Sequence, residues 1–172
     1  CGELAVERLH DTANIESWTQ DFLTLEAAGW KGDAGTALAE AEATRALFIQ
    51  VMDGASKAGR LQRLSLTLDG RRIAMLASFV TAPGAYSFKT AFDENFAAFS
   101  PGMLLQIENL ATLEDPAIEW TDSCAAQGHP MIERLWSECR TLVSRNIAIG
   151  GRLRRRFVKP LMAYETRKRS SS

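Results

Sequence analysis

The chain has 172 residues, 46% apolar and 24% charged, with a formal net charge of −1. That length suits one domain with a core large enough to do without staples, and no apolar run approaches the ~20 residues of a membrane span. Cys1, Cys124 and Cys139 are odd in number and hold no Cys-x-x-Cys pair, which fits a reducing, cytoplasmic compartment and argues against structural zinc or any other metal site.

The charge is uneven. Residues 152–172 carry Arg152, Arg154, Arg155, Arg156, Lys159, Arg167, Lys168 and Arg169 against Glu165, so that segment is about +7 and the rest about −8. A basic end can meet nucleic acid or an anionic surface. With no aromatic interleaving or recognition motif it reads instead as a solvated helix and a loose tail, without nucleic-acid partners. The chain opens with Cys1 rather than Met and shows no basic-then-apolar leader, which fits a segment trimmed from a longer protein.

In chain order, residues 4–9 predict a short edge strand. Ile15, Trp18, Phe22 and Leu25 keep helical spacing, and Gly29 ends that helix. Residues 30–36 form a glycine-punctuated loop. A long helix is predicted over 38–57, with Ala43, Leu47, Phe48 and Val51 as its buried face and Gly59 as its stop. The period then becomes two: Leu64, Leu66 and Leu68 alternate with polar residues up to Asp69-Gly70, a two-residue hairpin turn. Residues 73–80 are nearly all apolar and predict a strand buried on both faces. Pro83-Gly84 leads into a third strand over 86–92.

Ser100-Pro101-Gly102 opens the next helix, predicted over 101–113. Ser is a favoured N-cap, and Pro at the first helical position loses no hydrogen bond. Met103, Leu104, Ile107, Leu110 and Ala111 share a face. Met103 stands where a capping box would place Glu or Gln, so the N–H groups of Gly102, Met103 and Leu104 are expected to be free. A helix N-terminus between two strands suits a phosphate or a coenzyme pyrophosphate; the other reading is an ordinary capped helix in an α/β core. A fourth strand over 118–121, a short helix over 131–138, a strand over 142–149 and a kinked amphipathic helix complete the chain. Three antiparallel strands and a strand–helix–strand crossover predict an α/β (α+β) fold: a mixed, mostly antiparallel sheet with helices on both faces.

Several segments together carry a family likeness: Phe22-Leu23-Thr24-Leu25-Glu26-Ala27-Ala28-Gly29-Trp30-Lys31-Gly32, Gly35-Thr36-Ala37-Leu38, Phe88-Lys89-Thr90-Ala91-Phe92-Asp93-Glu94, Ser100-Pro101-Gly102-Met103-Leu104-Leu105, and Asp122. In this order and spacing the chain resembles the GNAT acyltransferase superfamily, in its CelD-like branch of bacterial polysaccharide synthesis. That branch is similar to the Fem-type peptidyltransferases, which carry two such domains in tandem. The resemblance implies a domain over 1–151 followed by the basic end, with a second GNAT-like domain or a second copy as a partner. It implies acetyl-CoA or another acyl-CoA as co-substrate, lying in a wedge between the strands at 86–92 and 118–121.

On that resemblance Ser100, Gly102, Met103, Leu104, Phe88 and Lys89 would meet the coenzyme. Asp122 would take the proton of an amine acceptor, with Asp93 at the neighbouring strand end holding that amine. Glu94, Trp30 and Lys31 would line the acceptor pocket. The implied activity is N-acylation of an amino sugar or envelope precursor. Two departures favour a non-catalytic module of a larger polysaccharide-synthesis protein instead. Only Gly102 stands where many relatives have several glycines, and Ile132-Glu133 stand where CelD-like chains place Tyr-Lys. Cys124 with His129 lacks a third group to orient the histidine, which argues against a Cys–His hydrolase. Tyr86 and Tyr164 are the two tyrosines available to protonate a leaving thiolate.

Overall fold

A computed structural model of the chain describes residues 2–126, 128, 129, 131–143, 151, 156, 158 and 160. The chain divides into two compact units, residues 1–137 and 138–172. Among the described residues the first unit holds every strand. In the second, Arg156, Val158 and Pro160 have helical backbone, while Leu142 and Val143 are not in a strand. The remainder of the predicted strand over 142–149, and most of the last helix, fall outside the described residues.

The sheet has five strands in the order β1 (Leu4–Leu9), β2 (Leu61–Leu68), β3 (Arg71–Thr81), β4 (Gly84–Phe92) and β5 (Trp120–Asp122). The first four are antiparallel neighbours and β5 runs parallel to β4. The β2–β3 turn follows from local chemistry: Asp69 and Gly70 both adopt positive φ, at 50° and 79°, the signature of the primed turn whose twist matches that of its strands. The middle of β3 is buried throughout, as its apolar run predicts.

Helices cover both faces. On one, α1 (Ile15–Ala27) and α3 (Glu42–Lys57) bury Trp18, Phe22, Phe48 and Met52 against Leu61, Met75, Ala77 and Ala91. Each such large side chain contributes about 1.5–3 kcal/mol by leaving water. On the other face, Leu105 of α4 (Pro101–Asn109) packs on Leu64, Leu66, Ala74 and Leu76.

Four sequence expectations are corrected. The stretch after Gly29 is not a plain loop: it winds into a short helix, α2 (Trp30–Asp33). A Cβ at Gly32 would lie 1.8 Å from the Ala27 carbonyl oxygen, so this turn sits directly on the end of α1. The helix α3 starts at Glu42 and buries Phe48, Met52 and Ser56, whereas Leu47 is 61% exposed. The buried stripe is narrow, one residue per turn at Phe48, Met52 and Ser56, so the neighbouring Leu47 and Ile49 stay exposed. The helix α4 ends at Asn109 and tightens into a 3₁₀ turn, Leu110–Glu114. The helix predicted over 131–138 is a 3₁₀ turn, Ile132–Arg134.

Candidate active site

The strands β4 and β5 pair only at Gly84–Trp120, Ala85–Thr121 and Tyr86–Asp122. Beyond Tyr86, β4 runs on to Phe92 with no strand on that side among the described residues. The separation has a local cause. The Trp120 ring lies over Gly84 and meets Tyr86 edge-on, with ring centroids 5.3 Å apart. Two residues later the Asp122 carboxylate accepts the Cys124 N–H at 2.8 Å, and Cys124 takes a positive φ of 53°. The chain therefore turns off the sheet at Asp122 and leaves a wedge.

The N-terminus of α4 stands at the far end of that wedge. Its capping differs from the sequence expectation. Ser100 is left-handed (φ 50°, ψ 52°), and its side chain caps nothing. Its carbonyl accepts the N–H groups of Met103 and Leu104 at 2.9 and 3.1 Å, so those two donors are not free. Pro101 has no N–H, and the Gly102 N–H has no partner among the described residues. An open cleft of about 250 Å³ borders it, lined by Phe92, Ser100, Gly102, Met103, Met131 and Arg134. A Cβ at Gly102 would come within 3.4 Å of both Met131 Sδ and the Phe92 ring. Arg134 makes no ion pair among the described residues. Sequence reasoning missed Arg134 because its proximity to Gly102 is tertiary.

The helix is held in place by buried polar side chains rather than by the predicted apolar stripe. Leu104, Ile107 and Leu110 are 40%, 47% and 38% exposed. Facing the sheet instead are Leu105, Gln106 and Asn109. Asn109 Nδ2 donates to Ser87 Oγ at 3.0 Å, and its Oδ1 accepts from Gln62 Nε2 at 3.1 Å and Ser78 Oγ at 3.4 Å. Gln62 also donates to Thr112 Oγ1 at 2.9 Å, and Gln106 Nε2 to Thr90 Oγ1 at 3.3 Å. One end of α4 is thus tied to three strands, which fixes where its other end points.

A β-bulge interrupts β4. The register passes from Ala77–Lys89 to Ser78–Ser87 and skips Phe88. Phe88 packs on the α1–α3 face against Phe48 and Phe79. Lys89, paired with Ala77 of that same face, does not alternate away from Phe88 as strict period-two reading requires. Lys89 makes no ion pair among the described residues.

Across the sheet a second, small pocket is lined by Glu26, Trp30, Lys31, Thr90, Phe92 and Glu94. Phe92 borders both pockets. Lys31 Nζ lies 2.8 Å from Glu26 Oε1 and donates to the Thr90 carbonyl at 3.4 Å. The other Glu26 oxygen accepts the Leu38 N–H at 2.9 Å. Trp30 is 59% exposed. Asp93 is buried and fully engaged: it accepts from Asn95 N–H and Nδ2 at 3.0 and 2.8 Å and pairs with Arg71. Glu94, next to it, is exposed.

The Cys124 thiol is pushed up from its ordinary value by burial and by the Asp122 carboxylate, the opposite of an activated nucleophile. His129 is exposed and makes no hydrogen bond to it. Glu133, at a position where CelD-like chains carry lysine, accepts the Gly128 N–H at 2.8 Å. Tyr164 lies outside the described residues. Among the described residues no group of three His, Cys, Asp or Glu side chains is placed to hold a metal, and no helix is long and apolar enough to cross a membrane.

A half-paired β4–β5 wedge with a helix N-terminus at its end defines a class of fold, and the comparisons assign it. Residues 1–129 match the family of acetyltransferase (GNAT) domains. The chain belongs to that family. No curated protein matches it in sequence. Among solved structures it is similar to a GCN5-related N-acetyltransferase from Ralstonia eutropha JMP134, with a TM-score of 0.65, 16% identity, and coverage of 85% of this chain and 99% of that one. An aminoglycoside acetyltransferase from an uncultured soil metagenomic sample, bound to sisomicin, gives a TM-score of 0.59 at 13% identity over 86% of this chain and 97% of that one. The aminoglycoside N-acetyltransferase AAC(6')-Iy in complex with CoA gives 0.59 at 9% identity over 87% and 97%. At these identities the likeness is one of fold.

Proposed function

We propose that this domain transfers an acyl group from acyl-CoA to an amine, with an amino sugar or cell-envelope precursor as the acceptor. The observation that carries the reading is the Gly102 N–H, unpartnered among the described residues, in a residue that lines a cleft together with Arg134 at the end of the open edge of β4. A helix N-terminus and a guanidinium together suit a pyrophosphate, and a pantetheine arm laid along β4 from there points toward Tyr86 and Asp122. Ser100, Met103 and Leu104 shape the mouth, and Phe88 and Lys89 belong to the strand along which the arm lies. A cationic group of the acceptor remote from the reacting amine suits the other pocket, ~13 Å along β4 from Tyr86, where Trp30 and Glu94 present an aromatic face and a carboxylate; Asp93 holds the turn that presents Glu94.

The coenzyme supplies a thioester, whose carbonyl carbon is attacked by the neutral amine. The C–N bond forms, the C–S bond breaks, the amine loses one proton and the thiolate gains one. Asp122, at the last paired position of β5, is the group proposed to accept the amine proton. Tyr86, its partner across the strands, is the nearest phenol to give one to sulfur. The second reading, a non-catalytic module of a larger polysaccharide-synthesis protein, is favoured by Glu133, whose carboxylate caps a turn. Thermal unfolding with acetyl-CoA separates the two: a ligand that binds only the folded state raises Tm. No rise at millimolar acetyl-CoA would leave the module reading standing. CoA-thiol release against a panel of amino sugars and short peptides then identifies the acceptor.

A further inference from the structure

We propose that Gln106 is a positioning residue for the coenzyme: the free end of its side-chain amide, with the Thr121 hydroxyl across the gap, binds the secondary amides of the pantetheine arm from the α4 side of the wedge. The inference rests on reading the wedge as the acyl-CoA site and deepens it by naming the side chains that hold the arm between pyrophosphate and thioester.

Three contacts set α4 along β4. Gly102 lies over the Phe92 ring, Gln106 Nε2 donates to Thr90 Oγ1, and Asn109 Nδ2 donates to Ser87 Oγ. Residues 102, 106 and 109 share a helix face. Gln106 therefore stands one turn, about 6 Å, beyond Gly102 in the direction of Tyr86. Thr90 belongs to the part of β4 that has no strand beside it on that edge among the described residues. Thr121 stands across the gap. It pairs with Ala85, which shares a face with Ser87 two residues on, and Ser87 faces α4. Gln106 and Thr121 are thus on the same side of the wedge, one at each wall.

Both carry an unused oxygen. Gln106 is 2% exposed, and its Oε1 has no hydrogen-bond partner among the described residues; Thr121 Oγ1 is buried and has none either. Their neighbours under α4 do not share this state: Gln62, Ser78, Ser87, Asn109 and Thr112 bond to one another. A buried polar atom without a partner is a cost the folded chain carries. Two of them flanking one gap mark a place where ligand atoms complete the bonding. The chemistry required is narrow. The Gln106 amide can present either end to the gap, since Thr90 Oγ1 can accept or donate, and the Thr121 hydroxyl can do both as well. A secondary amide offers an N–H and a C=O together, so it satisfies either orientation, and a pantetheine arm carries two such amides in series. Both oxygens are closed to water in the ligand-free chain; the amide and the hydroxyl each turn about one bond to meet an arm in the gap.

The test is calorimetric titration of the full chain with acetyl-CoA and with 3′-phospho-ADP, which keeps the pyrophosphate and lacks the arm. Gln106→Met preserves length and removes both polar ends. Thr121→Val preserves shape and removes only the hydroxyl. Each variant is expected to weaken acetyl-CoA binding about tenfold, the order of a single hydrogen bond, and to leave 3′-phospho-ADP binding unchanged. A purely structural role gives a different pattern, in which a displaced α4 affects the two ligands alike. Unchanged acetyl-CoA affinity in either variant, or an equal loss for the two ligands, would overturn the proposal. So would failure of both variants to fold, which would make the two side chains structural. If the wild type binds acetyl-CoA and the variants match it, this inference alone falls. If the wild type does not bind acetyl-CoA, the acyl-CoA reading falls with it.

Discussion

A Cβ placed on Gly84 would lie 2.3 Å from the indole ring of Trp120. The two residues are paired across the parallel β4–β5 ladder at its first rung. The wedge thus opens from a point where one strand has no side chain and the other has the largest one. Gly84→Ala is expected to cost roughly 1–3 kcal/mol, the range for overpacking a filled site. Trp120→Leu should reduce that penalty in a double-mutant cycle, since the two positions are in contact. Equilibrium denaturation of the four proteins measures it, and additive costs would show that the ring does not oppose the new methyl group.

Gly102→Asp should abolish stabilisation by acetyl-CoA. The substitution puts atoms where Met131 and Phe92 leave 3.4 Å and adds a negative charge beside the expected pyrophosphate. Arg134→Ala should weaken acetyl-CoA binding about tenfold, or about 1.4 kcal/mol, with less effect at high salt, because its charge is exposed and screened. Titration calorimetry at two ionic strengths reads both. Unchanged affinity in Arg134→Ala would take that residue out of the site.

Asp122→Asn should keep coenzyme binding and lower turnover by roughly 10²–10⁴, the range for a general base. It carries a second readout that needs no acceptor. Since burial and Asp122 both raise the Cys124 thiol pKa, removing the charge lowers it and enlarges the thiolate fraction at pH 8. Alkylation of Cys124 by iodoacetamide should therefore be faster in the variant. Asp93→Asn, by contrast, should act on stability, costing about 1–3 kcal/mol through the loss of a charge-assisted pair with Arg71. Full activity in Asp122→Asn would reduce that residue to the turn cap its bond to the Cys124 N–H already makes it.

Asn109 tests whether the polar latch aims α4. Asn109→Ala leaves Ser87, Gln62 and Ser78 short of a partner, and each buried orphan costs about 1–3 kcal/mol. Asn109→Leu fills the space without restoring the bonds. If the latch sets the helix direction, both variants should weaken acetyl-CoA binding at temperatures where each is fully folded. Loss of stability with unchanged affinity would make it a stabilising network only.

The sequence by itself determined what depends on near neighbours. Asp69-Gly70 adopts a turn that two consecutive residues specify, and the apolar run in β3 needs no distant partner to be buried. Pro101 marks the start of α4 because its ring fixes φ and its nitrogen carries no proton. Even the wedge was legible, through motifs that as a set resemble a known family. The tertiary structure alone decided which side of α4 is inside. Apolar spacing selects Leu104, Ile107 and Leu110, but the sheet beneath presents Gln62, Ser78 and Ser87, and polar partners from 22 to 47 residues away draw in Asn109 instead. Periodicity counts apolar residues and is blind to a polar surface that has yet to form. Glu26 escaped for the same reason. It stands in the apolar stripe of α1, and only the fold brings the Lys31 ammonium and the Leu38 N–H onto its two oxygens to make its burial tolerable.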